Sequence, residues 1–198
     1  MFFSKNRALK ITCVISLLMI TFVYHRYINA ENNTHQIKFG ATYMTMNNTF
    51  YKAVNNEIEN VINDHGDVLY TRDPALDAKK QEEQINDLID LGIDVLIVNP
   101  VESTTINKTL KKVKKAGIKI IVVDAPISDD QIADCTVVSD NYDAGVKCAL
   151  DMMQRFEKAR IVLLEHQNVL SAVDRINGFK DTVSTNENYQ IVGSVDCL

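Results

Sequence analysis

The sequence predicts an α/β fold, a doubly wound parallel sheet with helices on both faces, from two observations. Short apolar segments alternate along the chain with amphipathic segments whose apolar residues recur every three or four positions. One of the short segments, residues 94–99, contains a continuous apolar run, which is typical of a parallel strand buried on both faces. Strands separated by helices form βαβ units with right-handed crossovers, and such units build a doubly wound sheet.

The individual elements follow from their own patterns. Three- and four-residue spacing of apolar side chains predicts the helices, and Gly92 and Gly117 mark the ends of two of them. We predict helices over residues 50–64, 77–91, 103–116, 141–156 and 171–184. We predict strands over residues 37–43, 67–71, 94–99, 119–124, 136–139, 160–164 and 190–194.

The N-terminal segment has the pattern of an export signal. Basic residues Lys5, Arg7 and Lys10 precede an uncharged, mostly apolar run over residues 11–24, which is short for a membrane span of about 20 residues. Residues 28–30 form a poor cleavage site, so two outcomes stay open. Cleavage would release a soluble protein, whereas retention, which we favour, would leave a single-helix membrane anchor. Both outcomes predict an extracytoplasmic location, in the periplasm or at the cell surface.

Composition and charge argue against several function classes. The chain has 198 residues and a formal net charge of −5 without a basic cluster, so we expect no nucleic-acid partner. The cysteines lack the spacing of a zinc site, and we expect neither a metal nor a cofactor. Cys135 and Cys148 are predicted to be small buried residues. Disulfide pairing among Cys135, Cys148 and Cys197 stays open, because spacing does not give Cα separations.

Polar and aromatic side chains follow several of the predicted strands, where ligands of a doubly wound sheet bind. These candidates are Asn48, Phe50, Tyr51, Asp124, Asp140 and Arg175. Amides, carboxylates and a guanidinium exchange hydrogen bonds with neighbouring hydroxyls, and aromatic rings stack on the C–H faces of sugar rings. Because no nucleophile–base pair accompanies them, we predict a polyol-binding site and not an enzyme.

Five of the six candidates also have a purely structural explanation. Asn48 is placed to cap the helix that follows it, and Asp124 to cap a loop. Phe50 and Tyr51 fit a hydrophobic core, and Arg175 fits the exposed surface of a helix. The predicted site therefore rests on the shared placement of these residues after strand ends.

Five ordered segments carry a family resemblance. They read TMNNTFY at 45–51, LIVNP at 96–100, AGIKIIVVD at 116–124, VSDN at 138–141 and SAVDRINGF at 171–179. In this order they resemble the ribose/galactose-type periplasmic binding proteins, the substrate-binding proteins of sugar ABC transporters. The resemblance runs from about residue 37 to the end and implies the type I periplasmic binding protein fold, in which two α/β lobes joined by a hinge enclose a sugar.

The resemblance also implies roles for the candidates. The residues that match the family's sugar contacts are Asn48, Phe50, Tyr51, Asp124 and Arg175, and Asp140 matches a hinge or ligand-binding position. Ala125 stands where the family often has a basic residue, and Met44 where a small hydroxyl residue is common. The sugar can therefore differ from ribose.

The resemblance divides the chain into three parts. We expect residues 1–34 to be a signal peptide or membrane anchor with a joint, and residues 35–139 to be a nearly complete N-terminal lobe. Residues 140–198 would form a partial C-terminal lobe, since family members are longer, and we expect a C-terminally truncated chain. Its sheet edges would then lack partners.

The implied function is extracytoplasmic binding of a monosaccharide, for uptake through an ABC permease or for presentation to a membrane sensor kinase. The alternative is an effector-binding domain related to sugar-responsive transcription regulators, which need a basic helix-turn-helix where this chain has an apolar segment. An enzyme of similar architecture would need a nucleophile elbow, a phosphate loop or a metal cluster, and the sequence contains none of these motifs.

Overall fold

The computed structural model describes residues 15–25 and 36–197, which belong to two units, Met1–Gln36 and Ile37–Leu198. In the first unit, residues 15–25 form helix α1. Among the described residues, no helix has both the length and the apolar character needed to cross a bilayer. The predicted basic segment, the start of the apolar run at 11–14 and the weak cleavage site at 28–30 lie outside the described residues.

The second unit alternates strands and helices as predicted. The helices are α2 (Thr49–Asp64), α3 (Ala78–Asp90), α4 (Asn107–Lys115), α5 (Asn141–Arg155) and α6 (Leu170–Val183), with a 3-10 turn at Asp130–Ile132. The strands are β1 (Lys38–Thr42), β2 (Val68–Arg72), β3 (Val95–Val98), β4 (Lys119–Asp124), β5 (Cys135–Val138), β6 (Ala159–Glu165) and β7 (Tyr189–Asp196).

The strands form two parallel sheets. One has the order β2-β1-β3-β4-β5, and β6 pairs with β7 in the other. The carboxyl ends of β1, β3, β4 and β5 therefore meet at one edge of the larger sheet. These features confirm the predicted doubly wound α/β fold. The division into lobes at residues 139 and 140 stays a prediction.

Helices cover both faces of the larger sheet. On one face, Leu96 and Ile120 are fully buried in a core that α3 and α4 complete with Leu88 and Leu110. On the other face, α2 packs Tyr51 against a smaller core. Fully burying an aliphatic side chain stabilises the fold by about 1.5–3 kcal/mol, so the face with α3 and α4 contributes most.

Side-chain caps and glycines set the limits of the helices. Asn48 precedes α2 and Asp77 precedes α3, and each side chain accepts a hydrogen bond from a backbone N–H of the first turn. Gly92 and Gly117 adopt left-handed conformations, with φ of 69° and 82°, just after α3 and α4. The predicted helix ends at these glycines are therefore confirmed.

The predicted start of α4 at Ser103 is wrong, because the helix begins at Asn107. Ser103 is buried, and its backbone N–H donates to the carbonyl of Asn168 at 3.1 Å. The Ser103 hydroxyl accepts from the backbone N–H of Leu170 at 3.1 Å, and its carbonyl accepts from Ser128 N at 2.9 Å. These bonds join the loops after β3, β4 and β6, and they hold Ser103 outside the helix.

The predicted burial of Cys135 and Cys148 is also wrong. Both residues are exposed and free, as is Cys197. Cys135 lies on β5, the edge strand of the larger sheet, whose four residues are all exposed. Cys148 lies on the solvent side of α5, next to the buried Ala149.

Candidate functional site

An open cleft of about 480 Å³ lies at the carboxyl edge of the larger sheet, between α2 and the ends of β4 and β5. Aromatic and aliphatic side chains form most of its wall, together with Asp124 and Ser139. The lining residues are Tyr43, Phe50, Tyr51, Val54, Ile58, Val123, Asp124, Val137, Val138 and Ser139. Three of the predicted candidates therefore share one cavity, namely Phe50, Tyr51 and Asp124.

Asp124 ends β4 in an unusual backbone conformation, with φ of +65°. A non-glycine residue in this left-handed region is strained, and such strain persists only when the surroundings hold it in place. The Tyr51 hydroxyl donates to Asp124 Oδ2 at 3.0 Å, and Asn99 Nδ2 donates to the same oxygen at 3.3 Å. The half-buried carboxylate is thus fixed at the cleft by two elements distant in sequence.

Tyr51 joins the aromatic wall to this carboxylate. Its ring stacks on Tyr43 with centroids 5.9 Å apart and meets Phe50 edge-on at 5.3 Å. Burial, followed by the negative charge of Asp124, raises the pKa of the Tyr51 hydroxyl. The hydroxyl therefore remains a protonated donor across the physiological pH range.

Phe50 is the exposed member of the aromatic group. Its side chain is 53% exposed, whereas Tyr51 is 8% exposed and Tyr43 is fully buried. An exposed ring at a cleft offers a flat apolar face to a bound molecule. Of the two aromatic candidates, Phe50 is the one open to such a contact, because Tyr51 is buried.

Asn48 caps helix α2, which is one of the two roles that the sequence predicted for it. Its Oδ1 accepts a hydrogen bond from Phe50 N at 2.9 Å and caps α2. The cap uses the oxygen of the side-chain amide, and the exposed Nδ2 donors are not part of it. Asn48 is outside the residues that line the cleft, but it lies two positions before Phe50.

Asp140 and Arg175 are likewise outside the cleft lining. Asp140 Oδ1 accepts from Asp143 N at 2.9 Å and caps α5. Arg175 is exposed on α6, and its Nε donates to Asn141 Oδ1 at 2.8 Å, which links α6 to α5. A ligand contact by Arg175 and a hinge role for Asp140 stay predictions.

A second cavity, of about 290 Å³, lies beside α6 at the end of β6. Glu165 and Lys180 line it and form an ion pair with Nζ and Oε1 2.6 Å apart. The two charges neutralise each other. This cavity therefore offers a bound molecule weaker charge-assisted hydrogen bonds than the cleft beside Asp124 does.

Sequence reasoning did not select Asn99. This residue is fully buried at the end of β3, where its amide contacts two other segments of the site, the end of β4 and the residue Met44 after β1. A buried amide must have hydrogen-bond partners, so an Asn directly after the apolar run 95–98 was the available signal.

Comparisons with known proteins agree with this architecture. A profile of the family described as periplasmic binding protein domain matches residues 39–198. The ribose import binding protein of Bacillus subtilis (strain 168) is 26% identical over 151 residues, which are 75% of this chain and 49% of that protein. The chain spans about half the length of the curated relatives it matches.

Two solved structures illustrate the likeness. An ABC transporter solute binding protein from Mycobacterium smegmatis with bound glycerol has a TM-score of 0.73 and 31% identity, over 82% of this chain and 57% of that one. The fructose binding periplasmic domain of a hybrid two component system has a TM-score of 0.77 at 22% identity, over 81% and 54% of the two chains. The matched profile covers most of the chain. The chain therefore belongs to the periplasmic binding protein domain family.

Proposed function

We propose that this protein binds a monosaccharide outside the cytoplasm, in the cleft beside Asp124. The observation that carries the proposal is the pairing of an oriented carboxylate with an exposed aromatic ring, Phe50, at the carboxyl edge of a parallel sheet. A sugar presents hydroxyls at its rim and C–H groups on its faces. A carboxylate accepts hydrogen bonds from the hydroxyls, and an aromatic ring covers a C–H face.

The apolar wall of the cleft adds to this arrangement. Val123, Val137 and Val138 give the cleft an apolar side that a bound sugar would cover, and a hydrogen bond to Asp124 would be stronger once water is excluded there. Asn48 is two residues from Phe50, and its Nδ2 hydrogens would serve as additional hydrogen-bond donors to a sugar. A few charge-assisted bonds of this kind suffice for a dissociation constant in the micromolar range, about −8 kcal/mol.

The relatives support a role in delivery to the membrane. One is named as an import binding protein, and a structural neighbour is the periplasmic domain of a hybrid two component system. We infer that the bound sugar passes to an ABC permease, or that binding signals to a membrane sensor. In either case the sugar would lie between two lobes, and contacts to both would favour the closed arrangement. The second lobe would contribute through Arg175 and the loop after β6.

The test is calorimetric titration of the full chain with D-ribose, D-fructose, D-fucose, L-arabinose and myo-inositol. We expect saturable binding of at least one compound. Asp124→Asn should weaken that binding about tenfold to a hundredfold, since a charged hydrogen bond contributes about 1.5–3 kcal/mol. Phe50→Ala should also weaken it, because no ring then covers a C–H face of the sugar.

Matched variants separate a site effect from a general one. Phe156 is 57% exposed, close to the 53% of Phe50, but lies outside the cleft, and Asp90 is an exposed aspartate at the end of α3. Phe156→Ala and Asp90→Asn should leave affinity unchanged. Equal affinity in Asp124→Asn and the parent chain would contradict the proposed site.

A further inference from the structure

We propose that Asn99 and Tyr51 are positioning residues that clamp one oxygen of Asp124, so that the carboxylate presents only Oδ1 to a bound sugar. The effect on sugar binding rests on the proposed function, whereas the hydrogen bonds of the clamp are present without a ligand. It assigns a role to Asn99 and changes that of Tyr51 from a ring platform to a donor that orients the carboxylate.

Asn99 lies where three segments of the site meet. Its Oδ1 accepts from the backbone N–H of Met44 at 3.0 Å, and its Nδ2 donates to the carbonyl of Val123 at 3.1 Å. The remaining Nδ2 hydrogen goes to Asp124 Oδ2 at 3.3 Å. Both donors of the amide are thus used, and the side chain is fully buried. Asn99 cannot itself bind a sugar, but it connects the ends of β1 and β4.

Tyr51 supplies the second donor of the clamp. It has a single hydroxyl proton, and the charged Oδ2 of Asp124, at 3.0 Å, is a stronger acceptor than the Met44 sulfur at 3.4 Å. Stacking on Tyr43 fixes the Tyr51 ring, and α2 carries it. The donor therefore comes from a rigid element rather than from a mobile loop.

The clamp determines how the carboxylate can be used. Within the described residues, both side-chain bonds to Asp124 go to Oδ2. A free carboxylate can grip two neighbouring hydroxyls with its two oxygens. A carboxylate held by one oxygen offers a single acceptor in a fixed direction, which selects for the orientation of one sugar hydroxyl.

The first measurement needs no sugar. Three-bond NMR couplings about the Asp124 Cα–Cβ bond report whether its side chain holds one rotamer in the full chain. We expect one rotamer in the parent chain and averaged couplings in Tyr51→Phe and in Asn99→Ala. Tyr51→Phe keeps the aromatic ring, so it remains informative should Asn99→Ala fail to fold.

Gln81→Leu is the matched control for loss of a buried amide. Gln81 is as buried as Asn99 and bonds the Asn99 carbonyl and Val101 N, but it does not contact Asp124. It should lower stability while leaving the Asp124 rotamer fixed. Unchanged Asp124 couplings in Tyr51→Phe would overturn the inference, as would averaging in Gln81→Leu to the same degree.

The second measurement is a double-mutant cycle on D-ribose affinity. Tyr51→Phe should weaken D-ribose binding about tenfold in the parent chain and less than twofold when Asp124→Asn is already present. Additive losses would mean that Tyr51 acts independently of Asp124 and would overturn the inference. A parent chain that fails to bind D-ribose or any other sugar counts against the proposed function, and the rotamer measurement then decides the clamp alone.

Discussion

Two glycines allow α5 and α6 to pack with their backbones in contact. A Cβ atom built on Gly145 would overlap the carbonyl of Arg175 and lie 2.9 Å from Phe179 N. A Cβ atom on Gly178 would overlap the carbonyl of Tyr142 and lie 3.2 Å from Val146 N. Since the neighbouring atoms are backbone, no side chain can rotate away. We therefore predict that Gly145→Ala or Gly178→Ala forces the two helices apart.

The magnitude follows from two opposing effects. Overpacking of this kind costs roughly 1–3 kcal/mol, and contacts with backbone belong at the upper end of that range. Alanine in place of glycine within a helix raises the free energy of unfolding by about 1 kcal/mol through its higher helix propensity. The expected net loss is about 2 kcal/mol of unfolding free energy for each variant. Both helices should open more often, because the contact between them is weakened.

Urea unfolding and hydrogen exchange of α5 and α6 peptides, measured by mass spectrometry, test this prediction. Gly193→Ala is the control, because a Cβ atom at Gly193 in β7 meets nothing within 4 Å. The control should unfold as the parent chain does, whereas both helix variants should exchange faster in α5 and α6. If Gly178→Ala proves as stable as Gly193→Ala, the backbone contact between α5 and α6 is not as tight as described.

Two further predictions concern buried polar groups. Tyr43 is buried, and its hydroxyl has no hydrogen-bond partner among the described residues, so Tyr43→Phe should stabilise the protein by about 1 kcal/mol in urea unfolding. Burial raises the pKa of Tyr43 from 10.0 to about 12, so the parent chain loses stability as pH rises from 10 through 12, and Tyr43→Phe should flatten that loss. Ser103→Ala removes the acceptor for Leu170 N and should cost about 1–3 kcal/mol with faster exchange at Leu170, whereas the exposed Thr104→Ala should change neither.

The sequence pattern was sufficient to predict the fold, but it did not predict the hydrogen bonds between segments that are distant in sequence. Apolar periodicity and terminal glycines predicted the strands, the helices and the ends of α3 and α4, because these features depend on neighbouring residues. The start of α4 was predicted too early, since the groups of Ser103 are used by loops that lie far away in sequence. The exposure of Cys135 depends on β5 being an edge strand, which is a property of the sheet as a whole.

The candidate site could be predicted in part for the same reason. Placement after strand ends identified Phe50 and Asp124, which share the cleft. It did not separate ligand contacts from helix caps, because Asn48 and Asp140 have the residue types suited to both. The Tyr51–Asp124 bond joins residues 73 positions apart, and it depends on the orientation of α2 over β4.

The composition of the cleft bears on selectivity under the proposed function. An apolar wall discriminates weakly, since one added or missing methylene changes binding by about 10- to 200-fold. A buried acceptor discriminates more strongly, because a sugar that lacks the matching hydroxyl leaves the acceptor unpaired. Asp124 is the charged residue in the cleft lining, and Tyr51 and Asn99 fix its direction. Selectivity should therefore depend more on the orientation of one hydroxyl than on the size of the sugar. Loss of the Tyr51 or Asn99 hydrogen bond to Asp124 should reduce the discrimination between sugars more than it reduces their affinity.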